Sequence, residues 1–154
     1  MLIGVLSDTH GRFNPAIARH FAGVERIIHA GDIGNEAVLE RLKAIAPVTA
    51  VTGNVDWGSS LDRQLPRSAR LELEGCRIYV THIGGTPTRL LEHLPEPRPN
   101  VYIFGHTHQA LLEEHDGVLF LNPGSAGAPR FGLPASLALL RITQGRATAE
   151  IVPL

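Results

Sequence analysis

Apolar residues fall along this chain in short runs separated by polar, turn-forming stretches, and in the first third those runs alternate with helical patterns. Met1 to Leu6 is one such run, long enough for a buried strand and short for a helix. Asn14 followed by Pro15 supplies a helix N-cap and a proline at the first helical position, which predicts a helix through about Phe21. Arg26 to Ala30 is again short and apolar, Asn35 can cap a helix through about Ile45, and Val48 to Thr52 is rich in the β-branched residues that favour strands. This β-α-β-α-β alternation predicts a parallel sheet with right-handed crossovers and cover on both faces.

Further along, the pattern changes. Asp56 to Arg67, with Trp57 and Pro66, reads as a loop, and Ala69 to Glu74 with Arg77 to Thr81 reads as an antiparallel hairpin around Gly75. A short helix near Thr88 to His93 leads through the proline-rich Pro95 to Asn100 connection into a strand over Val101 to Phe104. Leu111 to Glu114 and Val118 to Leu121 flank Asp116-Gly117, a pair that tolerates positive φ and signals a two-residue hairpin turn. Ser136 to Ile142 and Ala147 to Val152 form a last strand pair around Gly145. No repeat, low-complexity segment or long linker interrupts this order, so one domain over residues 1–154 is expected, its 44% apolar content sufficient for one sizeable core.

Charge and cysteine content narrow the function classes. With 14 basic against 15 acidic residues and no block of like charge, the sequence offers no surface for a nucleic-acid backbone or an anionic membrane. Recognition of a phosphate would have to be local. Met1 to Ser7 is far shorter than the roughly 20 apolar residues of a membrane span and lacks a basic flank or cleavage site, so it reads as a first strand. The single cysteine, Cys76, rules out an intramolecular disulfide framework and fits a reducing compartment, and a cytoplasmic location is expected.

The chemistry gathers at the ends of the strand-like runs. The first ends in Ser7-Asp8-Thr9-His10-Gly11, the second in Gly31-Asp32, the third in Gly53-Asn54, the run from Arg77 in His82, and the run from Val101 in Gly105-His106-Thr107-His108. In open α/β sheets ligands bind beyond the carboxyl ends of strands, so these residues are expected to converge on one rim. Taken singly, Asp8 or Asp32 is better explained by a turn or helix cap, Asn54 by a turn, and His82 by a half-buried histidine with a satisfied ring. The pairs Asp8/His10 and His106/His108 say more, because in extended chain residues i and i+2 point to the same side. His20, His29, His93 and His115 fall on helices, within a strand or in a hairpin turn and read as structural or solvent-exposed.

Two carboxylates, one amide and four imidazoles make a mixed oxygen and nitrogen shell suited to Mn, Fe, Zn, Co or Ni and poor for Ca or Mg. Seven side chains are too many for one tetrahedral ion and suit two ions about 3.5–4 Å apart sharing a carboxylate. The pair of ions would leave net positive charge that attracts an anionic phosphate.

The ordered series Asp8-x-His10, Gly31-Asp32, Gly53-Asn54, His82 and Gly105-His106-x-His108 resembles the calcineurin-like metallophosphoesterase superfamily, and most closely its small prokaryotic phosphodiesterase branch, which also carries a segment like Asn122-Pro123-Gly124-Ser125. The resemblance spans Asp8 to about Arg130. It implies an α/β, four-layer α-β-β-α sandwich of two mixed sheets flanked by helices, and a phosphodiesterase holding two divalent transition-metal ions, with Mn first among them. One ion would be held by Asp8, His10, Asp32 and His108 and the other by Asp32, Asn54, His82 and His106, with Asp32 bridging. Asp32, Asn54 and His82 would serve catalysis by positioning a hydroxide and the phosphate for in-line attack. The implied partner is a small phosphate ester, and because the family often forms dimers or tetramers, a homo-oligomer is a further expectation.

Many superfamily members follow the Asn with a His that protonates the leaving group. Here Val55 follows Asn54 and can donate nothing, so substrates whose leaving group departs without a proton are expected to be favoured. Asp56 could orient a metal ligand or simply stabilise a turn, Arg130 could pair with a phosphate oxygen, and the Asn122 to Ser125 turn reads as structural. Two rival readings remain: an interaction scaffold that keeps the fold without the chemistry, as in the small retromer subunit, and a metal hydrolase of a non-phosphate bond. The scaffold would be marked by degraded ligand positions, and none of the seven is degraded.

Overall fold

A computed structural model describes residues 1–154. Strands Leu2–Leu6 (β1), Arg26–His29 (β2) and Val48–Ala50 (β3) lie parallel and in order, joined by helices Ala16–His20 (α1) and Glu36–Lys43 (α2). The helix starts follow the expected caps. The Asn14 side chain accepts the Ala16 N–H at 2.9 Å, and that of Asn35 accepts the Val38 N–H at 3.1 Å, each satisfying an amide left free by the first turn.

The stretch expected as a loop holds more structure. A 3-10 turn spans Asn54–Asp56 and a helix spans Ser60–Gln64 (α3), its first amides met by Ser59, whose Oγ accepts the Leu61 N–H at 3.2 Å. A helix this short shows little apolar periodicity, with Leu61 as its one buried residue, so tertiary packing settles it more than pattern does.

Ser68–Leu73 (β4) and Cys76–Thr81 (β5) form the expected hairpin, closed by Glu74 and Gly75, both at positive φ. Next come Pro87–Leu90 (α4) with a 3-10 turn at Leu91–His93, and Val101–Ile103 (β6). Leu111–His115 (β7) and Val118–Asn122 (β8) turn at Asp116 and Gly117, also at positive φ, and Ser136–Thr143 (β9) and Arg146–Pro153 (β10) close the chain.

These strands make two mixed sheets. The first has the order β10-β9-β1-β2-β3 and the second β4-β5-β6-β8-β7. They pack face to face through Ile3, Val5, Ile28 and Ala30 from the first and Ile78, Val80, Val101 and Ile103 from the second. The other face of the first sheet is covered by α1, α2 and α3 through Ile17, Phe21, Leu39, Leu42 and Leu61. The outer face of the second meets Leu90, Leu91 and Leu94 around Tyr102 and Phe120. The four-layer sandwich implied by the resemblance is the fold observed.

The local pattern alone suggests helices on both faces of the parallel unit, and that part is corrected. Both faces of β1 and β2 are buried, but one is covered by a sheet. A strand buried on both sides reads as a continuous apolar run whatever lies above it.

Candidate metal centre

The carboxyl ends of β1, β2 and β3 from one sheet and of β5 and β6 from the other meet at one rim. Asp8, His10, Asp32, His106 and His108 all have left-handed backbones, with φ between 48° and 74°. Such conformations are uncommon outside glycine and persist where surrounding contacts enforce them. Here they are held by backbone bonds between the loops: Asp8 N–H to the Gly31 carbonyl at 2.9 Å, His10 N–H to Asp32 at 3.0 Å, and Gly105 N–H to His82 at 2.9 Å. The pairs Asp8/His10 and His106/His108 therefore converge through tight turns and not through extended chain, which corrects the reason given for them while bringing the side chains to the same centre.

Glycines make the approach possible. A Cβ at Gly53 would fall on the Asp32 carboxylate, and one at Gly105 would strike Ser7 Oγ and lie 2.8 Å from Asp8 Oδ2.

The polar atoms are disposed so that lone pairs, not hydrogen bonds, face inward. Asp8 Oδ2 accepts from Ser7 Oγ at 2.7 Å and from the His106 N–H at 3.1 Å, while its Oδ1 is buried without a partner. Asp32 Oδ1 accepts the Val55 N–H at 3.0 Å, and its Oδ2 lies 3.6 Å from His10 Nε2 and 3.2 Å from His82 Nε2. His82 Nδ1 sits 2.7 Å from the Ala30 carbonyl. That contact requires the proton on Nδ1 and aims the lone pair of Nε2 into the centre, as metal-binding imidazoles are normally oriented. His10 Nε2 and His82 Nε2, like Asp8 Oδ1, are buried without a hydrogen-bond partner. Three orphaned atoms in one place would be costly in an empty site.

Their spacing fits a metal. Asp8 Oδ1 lies 3.6 Å from His10 Nε2, 3.8 Å from His82 Nε2 and 3.4 Å from His108 Nε2. Donors that each sit about 2.0–2.2 Å from a common ion are separated by roughly 3–3.5 Å. The ligating atoms of Asp8, His10 and His108 form one group lying within 4.8 Å of one another, and those of Asp32, His82 and His106 form a second. The two groups divide the histidine pair between them, and Asp32 falls in the second group alone. Both offer oxygen and imidazole nitrogen, the donor set of divalent transition metals.

The same carboxylates that would hold an ion also draw a proton to the imidazoles. Burial works against the charged form of His82, but the carboxylates of Asp32 and Asp8 and the Ala30 carbonyl overcome it and hold the ring above its ordinary pKa. Burial likewise raises Asp32, and the adjacent His82 ring and the Val55 N–H outweigh it and bring the carboxyl below its ordinary value. His108 is held low by burial, with His10 and Arg130 adding to it against the pull of Asp8.

Asn54 is exposed at the rim and opens the 3-10 turn whose next residue, Val55, binds Asp32. Asp56 has a definite task. Its carboxylate accepts the N–H groups of Gly53 at 3.0 Å, Ile33 at 3.0 Å and Gly34 at 2.9 Å, tying the Asp32 loop to the Asn54 turn. Asn122 donates to the Gly105 carbonyl and to Thr107 Oγ1, both at 3.1 Å, and Ser125 Oγ donates to the Asp8 carbonyl at 2.9 Å, so that segment braces the loops bearing the histidines and Asp8.

His29 is structural, as read: the Gly31 N–H donates to its Nδ1 at 3.1 Å, which leaves Nε2–H to face Thr9 Oγ1 at 3.0 Å, and Thr9 donates onward to the Ile33 carbonyl at 2.9 Å. His115 pairs with Glu113 at 2.9 Å on the hairpin. The bracing roles of Ser7 and Thr9 were not legible in the sequence. A serine or threonine beside an aspartate carries no mark of where its hydroxyl will point.

Comparison with known proteins adds independent support. A sequence profile described as the calcineurin-like phosphoesterase superfamily domain matches residues 1–145. A protein of Methanothermobacter thermautotrophicus described as a probable metallophosphoesterase is 38% identical over 99% of this chain and 92% of its own length. The phosphodiesterase YfcE of Escherichia coli is 33% identical over 87% of this chain and 84% of its own. Among solved structures, Vps29 from Entamoeba histolytica superposes with a TM-score of 0.80 at 21% identity, covering 100% of this chain and 99% of its own, a likeness of fold.

Proposed function

The chain belongs to the calcineurin-like phosphoesterase superfamily, and from that premise we propose that it is a phosphodiesterase of small phosphate esters whose centre takes two divalent transition-metal ions, with Mn first among them. At the coarser level it is a metal-dependent hydrolase of phosphate esters. The observation that carries the finer reading is the set of orphaned inward-facing donors on Asp8, His10 and His82.

In this reading Asp8, His10 and His108 hold one ion, and Asn54, His82 and His106 the other. Asp32 serves both, since its Oδ2 faces His10 and His82 alike. Bound there, two divalent ions lower the pKa of water toward about 7, polarise phosphoryl oxygens and stabilise the charge that develops in an in-line displacement. The protein supplies the rest. The His82 ring is fixed by the Ala30 carbonyl and the Asp32 carboxylate by the Val55 amide, so the donors need no reorganisation as charge develops. Asn54 and His82 would help position the phosphate.

Val55 stands where a proton donor would face the leaving group. General-acid help is typically worth about 10²–10⁴-fold, so alkyl monoesters are expected to turn over slower than aryl diesters by about that factor. The test is elemental analysis of the purified protein followed by assay of bis(p-nitrophenyl) phosphate and glycerol phosphate with and without Mn. Two ions per chain and Mn-dependent hydrolysis of the diester are expected. A protein that binds no transition metal would support the scaffold, and activity on carboxylic esters with none on phosphates would support the non-phosphate hydrolase. Equal rates on the two phosphate substrates would remove the role given to Val55.

A further inference from the structure

Few large apolar side chains of this protein remain exposed: Val55, Trp57, Ile83, Leu112 and Phe131. Three of them surround the metal centre. Val55 follows Asn54, Ile83 follows His82, and the Phe131 ring meets that of His108 nearly edge to face, 6.0 Å between centroids. The floor of the site, Asp8 and Asp32, is buried and acidic, and its rim carries these apolar side chains beside the exposed Asn54 and His106. Phe131 is the most exposed of the five, at 81%.

Its backbone gives that exposure meaning. Phe131, at φ +56°, and Gly132, at φ +70°, are the central residues of a tight turn closed by the Leu133 N–H donating to the Arg130 carbonyl at 2.9 Å and by a bridge between Arg130 and Leu133. Turns of this kind favour Asn, Asp or Gly where Phe131 stands, because a bulky side chain is strained at positive φ. A Cβ at Gly132 would meet nothing within 4 Å, so the tip of the turn projects into open space. The turn thus holds the Phe131 ring out over the rim, against His108 on one side and otherwise in solvent.

Resting on the phosphoesterase reading, we infer that Phe131 seats an aromatic ring carried by the part of the substrate that stays on phosphorus. In-line displacement sends the leaving group away from the buried floor, and the substituent kept on phosphorus spreads sideways over the rim, toward Phe131 on the His108 side. A planar ring stacks on its free face. Arg130, which precedes Phe131 in the same turn, adds a positive charge for the attached phosphate. An aryl group and a nucleobase share this chemistry.

The experiment uses three diesters with the same p-nitrophenolate leaving group, differing in what remains on phosphorus: methyl, phenyl, or thymidine attached through its 5′ oxygen. With Mn bound, the protein is expected to favour a ring-bearing diester over the methyl diester in kcat/KM by about fivefold to tenfold. Whichever ring gives the larger ratio identifies its source. Phe131→Ala and Phe131→Leu bring the ratio close to one, and Phe131→Trp keeps it. Calorimetric titration with phenylphosphonate and methylphosphonate shows the same discrimination in Kd without turnover. A ratio unchanged in Phe131→Ala, or equal rates on all three diesters, overturns the inference and leaves the phosphoesterase reading intact. Hydrolysis of none of them by the Mn-loaded protein overturns both.

Discussion

The two sheets contribute unlike chemistry to the centre. Asp8, His10, Asp32 and Asn54 follow strands of the first sheet, so all of its carboxylate charge comes from that side. His82, His106 and His108 follow strands of the second. Each group of donors draws on both, Asp8 and His10 with His108, and Asp32 with His82 and His106. Neither sheet alone forms a site, and an ion held there ties the sheets together at the edge of their shared core.

The loops of the two sheets are braced differently as well. On the first, Asp56 takes three backbone amides and His29 and Thr9 extend a buried chain of hydrogen bonds. On the second, His82 is fixed by a carbonyl of the opposite sheet, and the His106–His108 loop leans on Asn122. The loops of the first sheet therefore carry more bracing of their own, while Asp8 also leans on the second through the Ser125 hydroxyl and the His106 N–H.

The sharpest way to break this division is Asp32→Ala, which removes a carboxylate whose Oδ2 lies 3.6 Å from His10 in one group and 3.2 Å from His82 in the other. Hydrolysis of bis(p-nitrophenyl) phosphate is expected to fall by about 10³-fold or more, the loss of several kcal/mol of charge stabilisation, with the fold intact by circular dichroism. Survival of most activity would refute the shared role of Asp32.

Next comes the bracing of the first sheet's own loops. Asp56→Ala leaves the amides of Ile33, Gly34 and Gly53 without their acceptor, at a cost of about 3 kcal/mol or more in denaturant unfolding, and is expected to weaken metal binding by about 10–100-fold in a Mn titration. Asp56→Asn, which keeps one oxygen, should recover part of both. An Asp56→Ala protein that matches the parent in both measurements would reduce Asp56 to an ordinary turn residue.

If the ions join the sheets, Mn must stabilise the protein. At 100 times Kd the gain in unfolding free energy is about 2.7 kcal/mol, and amide exchange should slow at the carboxyl ends of β2 and β5 together. Slowing confined to one sheet would contradict the cross-sheet site.

The smallest effect tests His29. Burial, aided by His82, lowers its pKa to about 3 from the model-compound value of 6.5. Between those values the unfolded chain binds a proton that the folded chain refuses. The stabilisation is thus fully present above pH 6.5 and is lost as pH falls toward about 3, with a slope of up to about 1.4 kcal/mol per pH unit. His29→Asn, which keeps an acceptor for the Gly31 amide, should flatten stability against pH in that window for the metal-free protein. An unchanged slope would mean that His29 does not stay neutral in the fold.

Much of this was legible in the chain. Strand ends at Asp8, Asp32, Asn54, His82 and His106 could be read because glycine and short apolar runs mark where strands stop, and ligand chemistry depends on residue type. The hairpins at Gly75 and Asp116-Gly117 were legible because positive φ has a residue signature. Helix α3 was not, since a single buried Leu61 gives no periodicity, and the partner covering the inner face of β1 and β2 was not, since a run buried on both sides looks the same under a helix or a sheet.

The sequence by itself therefore determined which donors exist, in what order, and that they follow strands, because those are properties of residue type and local backbone preference. Only the tertiary structure decided that Asp8 joins His108 while Asp32 joins His82 and His106, that Asp56 fastens two loops, and that Phe131 stands over the rim. Those facts depend on distances between residues far apart in the chain, which close packing of two sheets sets and no local pattern encodes.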